Sequence, residues 1–300
     1  MWDYDSMLGK AQVYFERAAK HPSVDDDELA LWMVLGLEFL LRAPLAKVHP
    51  SMLAALDGDA ILHANGIPIS KDPKSVPTHT VLARLRQVVS GFDPDREKDA
   101  TFLINMRNAE LHTGDAALAN VPTSAWLPRF LRVADVLCEH LGIEVADLIT
   151  EEIETQGQAL VDEQDAKTKH VVDEKIKNGK HIMVNLKPAE IQQRTPSALN
   201  LFPWTDDEEQ VNCPACSTKI SLTVEQVRSG SEQIDGDSVT RETIWIATDL
   251  SCPVCGLHLE DTAEIAAAGI EQQYIRTTSE DLEDRYAQVD DYIDYDYGND

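Results

Sequence analysis

The sequence predicts a mainly α-helical protein, in which an N-terminal up-and-down helical bundle is followed by a small C-terminal β zinc ribbon. Apolar residues recur at helical intervals through the first half of the chain. Four of the five cysteines stand in two Cys-Pro-x-Cys pairs in the last third. With 300 residues the chain has room for about two domains. We expect a bundle over residues 1–142, a helical linker over 143–204, a zinc ribbon with a terminal helix over 205–278, and an acidic disordered tail over 279–300.

The bundle is expected to be built from a few long helices. The second of them is apolar nearly all round, which is typical of the central helix of a bundle. Residues 43–77 are rich in Pro, Gly, Asp and His and are expected to form a long irregular connection. Gly114 is expected to end the fourth helix in a left-handed conformation. The predicted helices cover residues 7–19, 29–41, 78–89, 94–112 and 124–141.

The remainder of the chain mixes helices and strands. Residues 143–177 have high helix propensity and a thin apolar stripe, which predicts a long exposed connecting helix. A short helix is expected over 188–201. Apolar and polar residues alternate over 219–224 and 243–247, as they do in half-buried strands. A final helix is expected over about 262–275, before the tail.

The charge of the chain limits its function. Lys and Arg total 26 against 53 Asp and Glu, which gives a formal net charge of −27. So acidic a chain repels phosphate backbones at long range, which argues against a protein that coats nucleic acid. Residues 205–300 hold 23 acids and 5 bases, so the excess negative charge is concentrated there and argues against a zinc ribbon that reads nucleic acid.

The N-terminus gives no sign of export. It lacks the basic flank and apolar run of a signal peptide. The longest apolar stretch, Leu29 to Leu41, contains Glu38 and is too short to span a bilayer. We therefore expect a cytoplasmic protein with no membrane partner.

The paired cysteines predict a metal site. Cys213, Cys216, Cys252 and Cys255 provide four thiolates, and in a reducing compartment this pattern favours metal over disulfide. Four cysteines close a tetrahedral shell and leave no position for water, so we expect one structural zinc per chain. His258 is a spare candidate ligand, expected at the surface. The fifth cysteine, Cys138, lies at helical spacing among apolar residues and is expected to be a core residue.

A second group of residues with chemical potential ends the fourth helix. Arg107, Asn108 and His112 lie in Arg-Asn-Ala-Glu-Leu-His-Thr-Gly. Asn108 and His112 stack at i,i+4, whereas Arg107 and His112 are about 140° apart around the helix. A guanidinium can bind phosphate oxygens and an imidazole can move protons near neutral pH. Ordinary surface residues near a helix C-terminus are the alternative interpretation.

Glu38 is a polar residue on the most apolar helix. It could reach the end of the bundle, or it could pair with Arg107 and hold the guanidinium in place. Because a carboxylate on a buried helix must find a partner, a structural role is favoured.

The arrangement of Arg107, Asn108 and His112 at the end of a helix, followed by Gly114, resembles the HEPN family, the higher eukaryotes and prokaryotes nucleotide-binding proteins. The apolar second helix is also similar, and the resemblance covers residues 7–142. It implies a helical bundle and a metal-independent ribonuclease that acts as a homodimer. By this resemblance Arg107, Asn108 and His112 would be the active-site residues.

Two functions follow. The first is an endoribonuclease of toxin or phage-defence type that cleaves RNA by attack of the 2′-hydroxyl, with a composite active site across a homodimer. The second is an inactive bundle that dimerises or binds nucleotides, with the zinc ribbon as a protein-interaction platform. In either case a regulatory protein partner is expected to bind the ribbon or the acidic tail.

Overall fold

The computed structural model describes residues 2–21, 23–114, 116–195, 207–282 and 285. The chain divides into two compact units, Met1–Lys167 and Thr168–Asp300. The first unit is helical and the second is built on an antiparallel sheet. The predicted mainly α protein with a small C-terminal sheet is therefore confirmed.

The helices of the first unit follow the periodicity of the sequence. Long helices lie where the apolar pattern predicts them, and short helices occupy much of the connection that was expected to be irregular. A long helix, α9, begins after the bundle. The helices are α1 (Tyr4–Ala18), α2 (Asp27–Leu40), α3 (Ala43–Val48), α4 (Gly58–Ala64), α5 (Thr78–Val88), α6 (Pro94–His112), α7 (Ala117–Asn120), α8 (Thr123–Leu141) and α9 (Glu151–Asn185), with 3₁₀ turns at Pro50–Leu53 and Val145–Asp147.

Helix α2 lies at the centre of the first core. Seven of its residues are buried, which agrees with its nearly uniform apolar surface. Gly36 allows α1 to approach, because a Cβ at this position would lie 2.4 Å from the ring of Phe15. Residues Asp27–Val48 are long and apolar enough by composition alone to cross a membrane, and 67% of this apolar stretch is buried inside the protein.

Helix α6 carries the predicted Arg-Asn-x₃-His residues, and its two ends are defined by local sequence. Asp93 caps the N-terminus by accepting a hydrogen bond from the Arg96 amide, and Pro94 occupies the first turn. The helix ends at His112, as predicted. The left-handed cap predicted at Gly114 is wrong, because Thr113 leaves the helix in an extended conformation and Gly114 does not have a positive φ.

The second unit contains a sheet, two short helices and the C-terminal part of α9. The sheet is antiparallel with the strand order β1-β2-β4-β3, and β5 and β6 also pair with β4. Its elements are α10 (Pro188–Arg194), β1 (Glu208–Asn212), β2 (Lys219–Ser229), β3 (Gln233–Asp235), β4 (Ser238–Ser251), β5 (His258–Leu259), α11 (Thr262–Ala267) and β6 (Gln273–Asp281).

The end of the described chain differs from the prediction. The final helix, α11, stops at Ala267, and Gly269 then adopts a left-handed φ of 76°. From Gln273 the chain forms β6, so the predicted helix over 262–275 is wrong in its second half, and the first residues of the predicted tail belong to a strand. Residues 283, 284 and 286–300 of the predicted tail lie outside the described residues.

Candidate functional site

The structure brings the four paired cysteines together in the second unit. All four sulfurs lie within 4.8 Å of one another. The Sγ atoms of Cys213 and Cys255 are 3.6 Å apart, as are those of Cys216 and Cys252. A tetrahedral ion with metal–sulfur bonds of about 2.3 Å separates its ligands by about 3.8 Å. The cluster therefore has the size of a tetrathiolate metal site.

The two cysteine pairs adopt the same backbone turn. The amides of Cys213 and Cys252 donate to the carbonyls of Thr218 and Leu257, at 2.9 and 2.8 Å. The residue after each second cysteine, Ser217 or Gly256, is left-handed, with φ of 60° and 71°. In each turn, the amides of the third and fourth residues donate to the sulfur of the first cysteine. We call these turns the two cysteine knuckles.

The thiols of the knuckles do not ionise alike. The hydrogen bond that Cys213 donates lowers the pKa of the Cys252 thiol to about 5 and raises the pKa of Cys213. Burial raises the pKa of Cys255 to about 11. A cation that binds here must displace the remaining protons, so its affinity rises with pH.

The surroundings of the knuckles are closely packed. A Cβ at Gly179 of α9 would lie 2.9 Å from the Cβ of Ala215 and 3.3 Å from the sulfur of Cys255. His258, the spare candidate ligand, instead contacts the Asp249 carboxylate at 2.7 Å and has 51% of its side chain exposed. Among the described residues, the four cysteines form the only group of three or more potential metal ligands.

The fifth cysteine belongs to the first unit. Cys138 is buried in α8, and burial raises the pKa of its thiol to about 12. A thiol that stays protonated in an apolar core is a poor nucleophile. Its position agrees with the core role predicted from the sequence.

The second candidate site is a cavity of about 520 Å³ in the first unit, between α2, α5 and α6. Its apolar wall includes Leu82 and Ile104. Polar side chains from all three helices complete the lining. The polar residues of the lining are Glu38, Arg42, Ser75, Thr78, His79, Thr101, Asn105, Arg107 and Asn108. We call this space the α2–α5–α6 cavity.

Glu38 is the centre of an ion-pair network in this cavity. Its carboxylate contacts the Arg107 guanidinium and lies 3.2 Å from that of Arg42. The side chains of Glu38, Arg42 and Arg107 are only 18%, 11% and 12% exposed. Thr78 donates to the carboxylate and accepts from Arg42, each at 3.3 Å. Two arginines and one glutamate leave the network with a net charge of +1.

One nitrogen of the Arg107 guanidinium donates no hydrogen bond to the described residues. Its Nε is buried and has no hydrogen-bond partner among the described residues. Burial lowers the pKa of Arg107, and it lowers the pKa of Arg42 to about 10. Arg42 stays protonated at neutral pH, and the Arg107 guanidinium that lines the cavity is paired with the Glu38 carboxylate.

The structure separates the three residues predicted for the active site. Arg107 and Asn108 line the α2–α5–α6 cavity, whereas His112 is exposed near the end of α6 and is not part of the lining. Sequence reasoning missed Arg42 and His79. Arg42 could have been found by its i,i+4 spacing from Glu38, but nothing in the sequence connects His79 with Arg107.

Comparison of the chain with models of protein families, with curated proteins and with solved structures finds no match. Function is therefore argued from the cysteine knuckles and the cavity.

Proposed function

We propose that the protein is a metal-independent endoribonuclease of toxin or phage-defence type, with its active site at the α2–α5–α6 cavity. The observation that carries the proposal is the buried ion pair that holds Arg107 beside Asn108 in an open polar space. A fixed guanidinium is suited to phosphate oxygens because it offers a planar fork of donors. The resemblance to the HEPN family assigns these same residues to the active site.

The proposed reaction needs only proton transfer and charge stabilisation. Attack of the 2′-hydroxyl on the adjacent phosphorus gives 2′,3′-cyclic phosphate and 5′-hydroxyl ends. Arg107 would stabilise the phosphorane, and Asn108 would orient the ribose or a histidine. Glu38 is the one carboxylate in the cavity lining, and both of its oxygens contact arginine, so the lining has no carboxylate pair for Mg²⁺.

A homodimer would complete this site by bringing in the His112 of a second chain. One imidazole cannot easily serve as both base and acid in the same turnover. His112 is exposed one turn beyond Asn108, so it is accessible to a second chain. A two-fold axis near the end of α6 would then place two copies of the motif face to face.

The direct test is cleavage of single-stranded RNA by the purified protein. We expect cleavage without divalent metal, and the product ends can be identified by mass spectrometry. His112→Ala should abolish cleavage, and should also abolish growth arrest if expression of the wild type causes it. Activity that survives His112→Ala, or that disappears with EDTA while the cysteine site keeps its metal, would contradict the mechanism.

The second candidate function is a catalytically inactive bundle that binds a nucleotide or dimerises. The ion pairs that Glu38 makes with both arginines, together with the exposure of His112, favour this alternative. It predicts a saturable nucleotide complex with no RNA cleavage, so the same preparation distinguishes the two functions. Its interaction platform would be the C-terminal sheet with the knuckles.

For the metal site, we propose that the cysteine knuckles hold one structural zinc ion. Four thiolates at tetrahedral spacing fit zinc and leave no open position for catalysis. Elemental analysis should find about one zinc per chain. A Cys213→Ser, Cys252→Ser double variant that is free of zinc but retains the sheet would count against this assignment.

A further inference from the structure

The α2–α5–α6 cavity contains an imidazole that the sequence motif does not include. His79 lies in the first turn of α5 and lines the same cavity as Arg107 and Asn108. His112 does not line it. The histidine that shares a space with the fixed guanidinium is therefore the one from α5.

His79 is free to act on a ligand. Its ring is exposed, and within the described residues it makes no hydrogen bond or ion pair. Other histidines of this unit contact protein groups instead: His21 contacts Asp26, His49 contacts Ser51, and the ring of His63 packs edge-on against Trp2. The side chains of Asn105 and Asn108 in the cavity also lack partners among the described residues. The cavity thus offers several unused polar groups next to one net positive charge.

The start of α5 adds donors to this set. No side chain caps the helix, and its first amides, those of Thr78 and His79, have no acceptor within the helix. Together with the Arg107 guanidinium that lines the cavity, these groups point to a ligand that carries an anionic oxygen.

We propose that His79 is a catalytic residue of this site, and that the two proton transfers of RNA cleavage are divided between His79 and His112. This inference rests on the proposed ribonuclease function. One imidazole, in its neutral form, takes the proton of the 2′-hydroxyl while the 2′-oxygen bonds to phosphorus. The bond from phosphorus to the 5′-oxygen breaks, and the other imidazole, in its protonated form, gives its proton to that oxygen. The acid and base then come from different helices, with His79 already in the cavity and His112 brought to it by the second chain.

The experiment compares His79→Gln with His170→Gln as a matched control. His170 is also an exposed helical histidine and does not belong to the lining of the cavity. The rate of cleavage of a short single-stranded RNA is measured from pH 5 to 9, with the melting temperature as a check of the fold. General acid–base catalysis contributes roughly 100-fold or more. We expect His79→Gln to lose at least about 100-fold in rate and one limb of a bell-shaped pH profile, while His170→Gln changes neither.

The outcomes separate this inference from the function on which it rests. If the wild type cleaves RNA and His79→Gln keeps its rate within about threefold and its bell-shaped profile, the role of His79 is refuted and the ribonuclease proposal stands. If the wild type cleaves no RNA, both are refuted.

A second measurement does not depend on turnover. Inorganic phosphate is titrated into the wild-type protein, and the imidazole proton resonances are followed by NMR. The His79 resonance should shift saturably and the His170 resonance should not. A His79 resonance that ignores phosphate would refute its place at the anion site.

Discussion

Replacing Glu38 by Gln tests the ion-pair network of the α2–α5–α6 cavity. The substitution keeps the size of the side chain but removes the charge that faces Arg42 and Arg107. Removing one partner of a fully buried ion pair costs about 3–5 kcal/mol, because the other charge stays buried alone. The three side chains here are 11–18% exposed and the new amide can still accept a hydrogen bond, so we expect about 2–3 kcal/mol.

The assay is urea unfolding followed by far-UV circular dichroism, which the helices of the first unit dominate. For a unit of this size, 1 kcal/mol corresponds to about 2–4 °C, so in a parallel thermal melt the melting temperature should fall by about 4–12 °C. The control is Glu163→Gln, which removes an i,i+4 contact with Lys167 at 2.6 Å between side chains that are 58% and 71% exposed. Exposed pairs contribute about 0–1 kcal/mol, so the control should change stability very little.

The result that refutes this reasoning is equal stability of the two variants. If Glu38→Gln unfolds within about 0.5 kcal/mol of Glu163→Gln, then the arginines do not depend on the carboxylate. In that case Glu38 would not hold Arg107 in position, and the observation behind the proposed function would be lost. The expected loss of stability should be accompanied by slower RNA cleavage.

Three further predictions concern the second unit. Gly179→Ala should weaken zinc retention against a chelator, because the new Cβ would lie 2.9 Å from the Cβ of Ala215, and this clash outweighs a helix-propensity gain of about 1 kcal/mol. The control is Gly9→Ala, where a Cβ would meet nothing within 4 Å and the unfolding free energy should show only that gain. Ser217→Gly should raise the unfolding free energy by about 0.5–1 kcal/mol and Gly256→Ser should lower it by about 1 kcal/mol, since both positions are left-handed; urea unfolding that shows the same sign for both would contradict the equivalence of the knuckles. Chelation of zinc should abolish the sheet signal and leave the helical signal of the first unit, as followed by circular dichroism.

The four-cysteine cluster could be predicted from the sequence because its geometry is local. A Cys-Pro-x-Cys turn brings two sulfurs together whatever the rest of the chain does, so two such turns already define the ligand set. The structure adds a difference between the two knuckles. The left-handed residue is Ser217 in the first knuckle and Gly256 in the second. No spacing rule signals a serine in a left-handed conformation.

The cavity could be predicted only in part because it depends on how three helices pack. Periodicity located α2, α5 and α6 to within a few residues, and the apolar surface of α2 drew attention to Glu38. The proximity of His79 to Arg107 arises from the packing of α5 against α6, and neither helix carries a local sign of its partner. The wrong final helix has a local cause, since the run from Tyr274 to Thr278 is rich in strand-forming residues that the helical interpretation passed over.

The placement of the knuckles means that a metal ion held there would fix the register of the sheet. One knuckle directly precedes β2 and the other directly follows β4, so an ion ties together the open ends of this strand pair. The pairing contains two register shifts, between Thr223 and Val224 and between Gln226 and Arg228. A slip of one residue in this pairing would turn the buried Leu222 toward solvent. Because the pairing is irregular, its hydrogen bonds alone discriminate only weakly between the native and the slipped register. A chain that paired β2 and β4 out of register could not bring its four sulfurs to one ion, so metal binding would select the native alignment from the slipped ones.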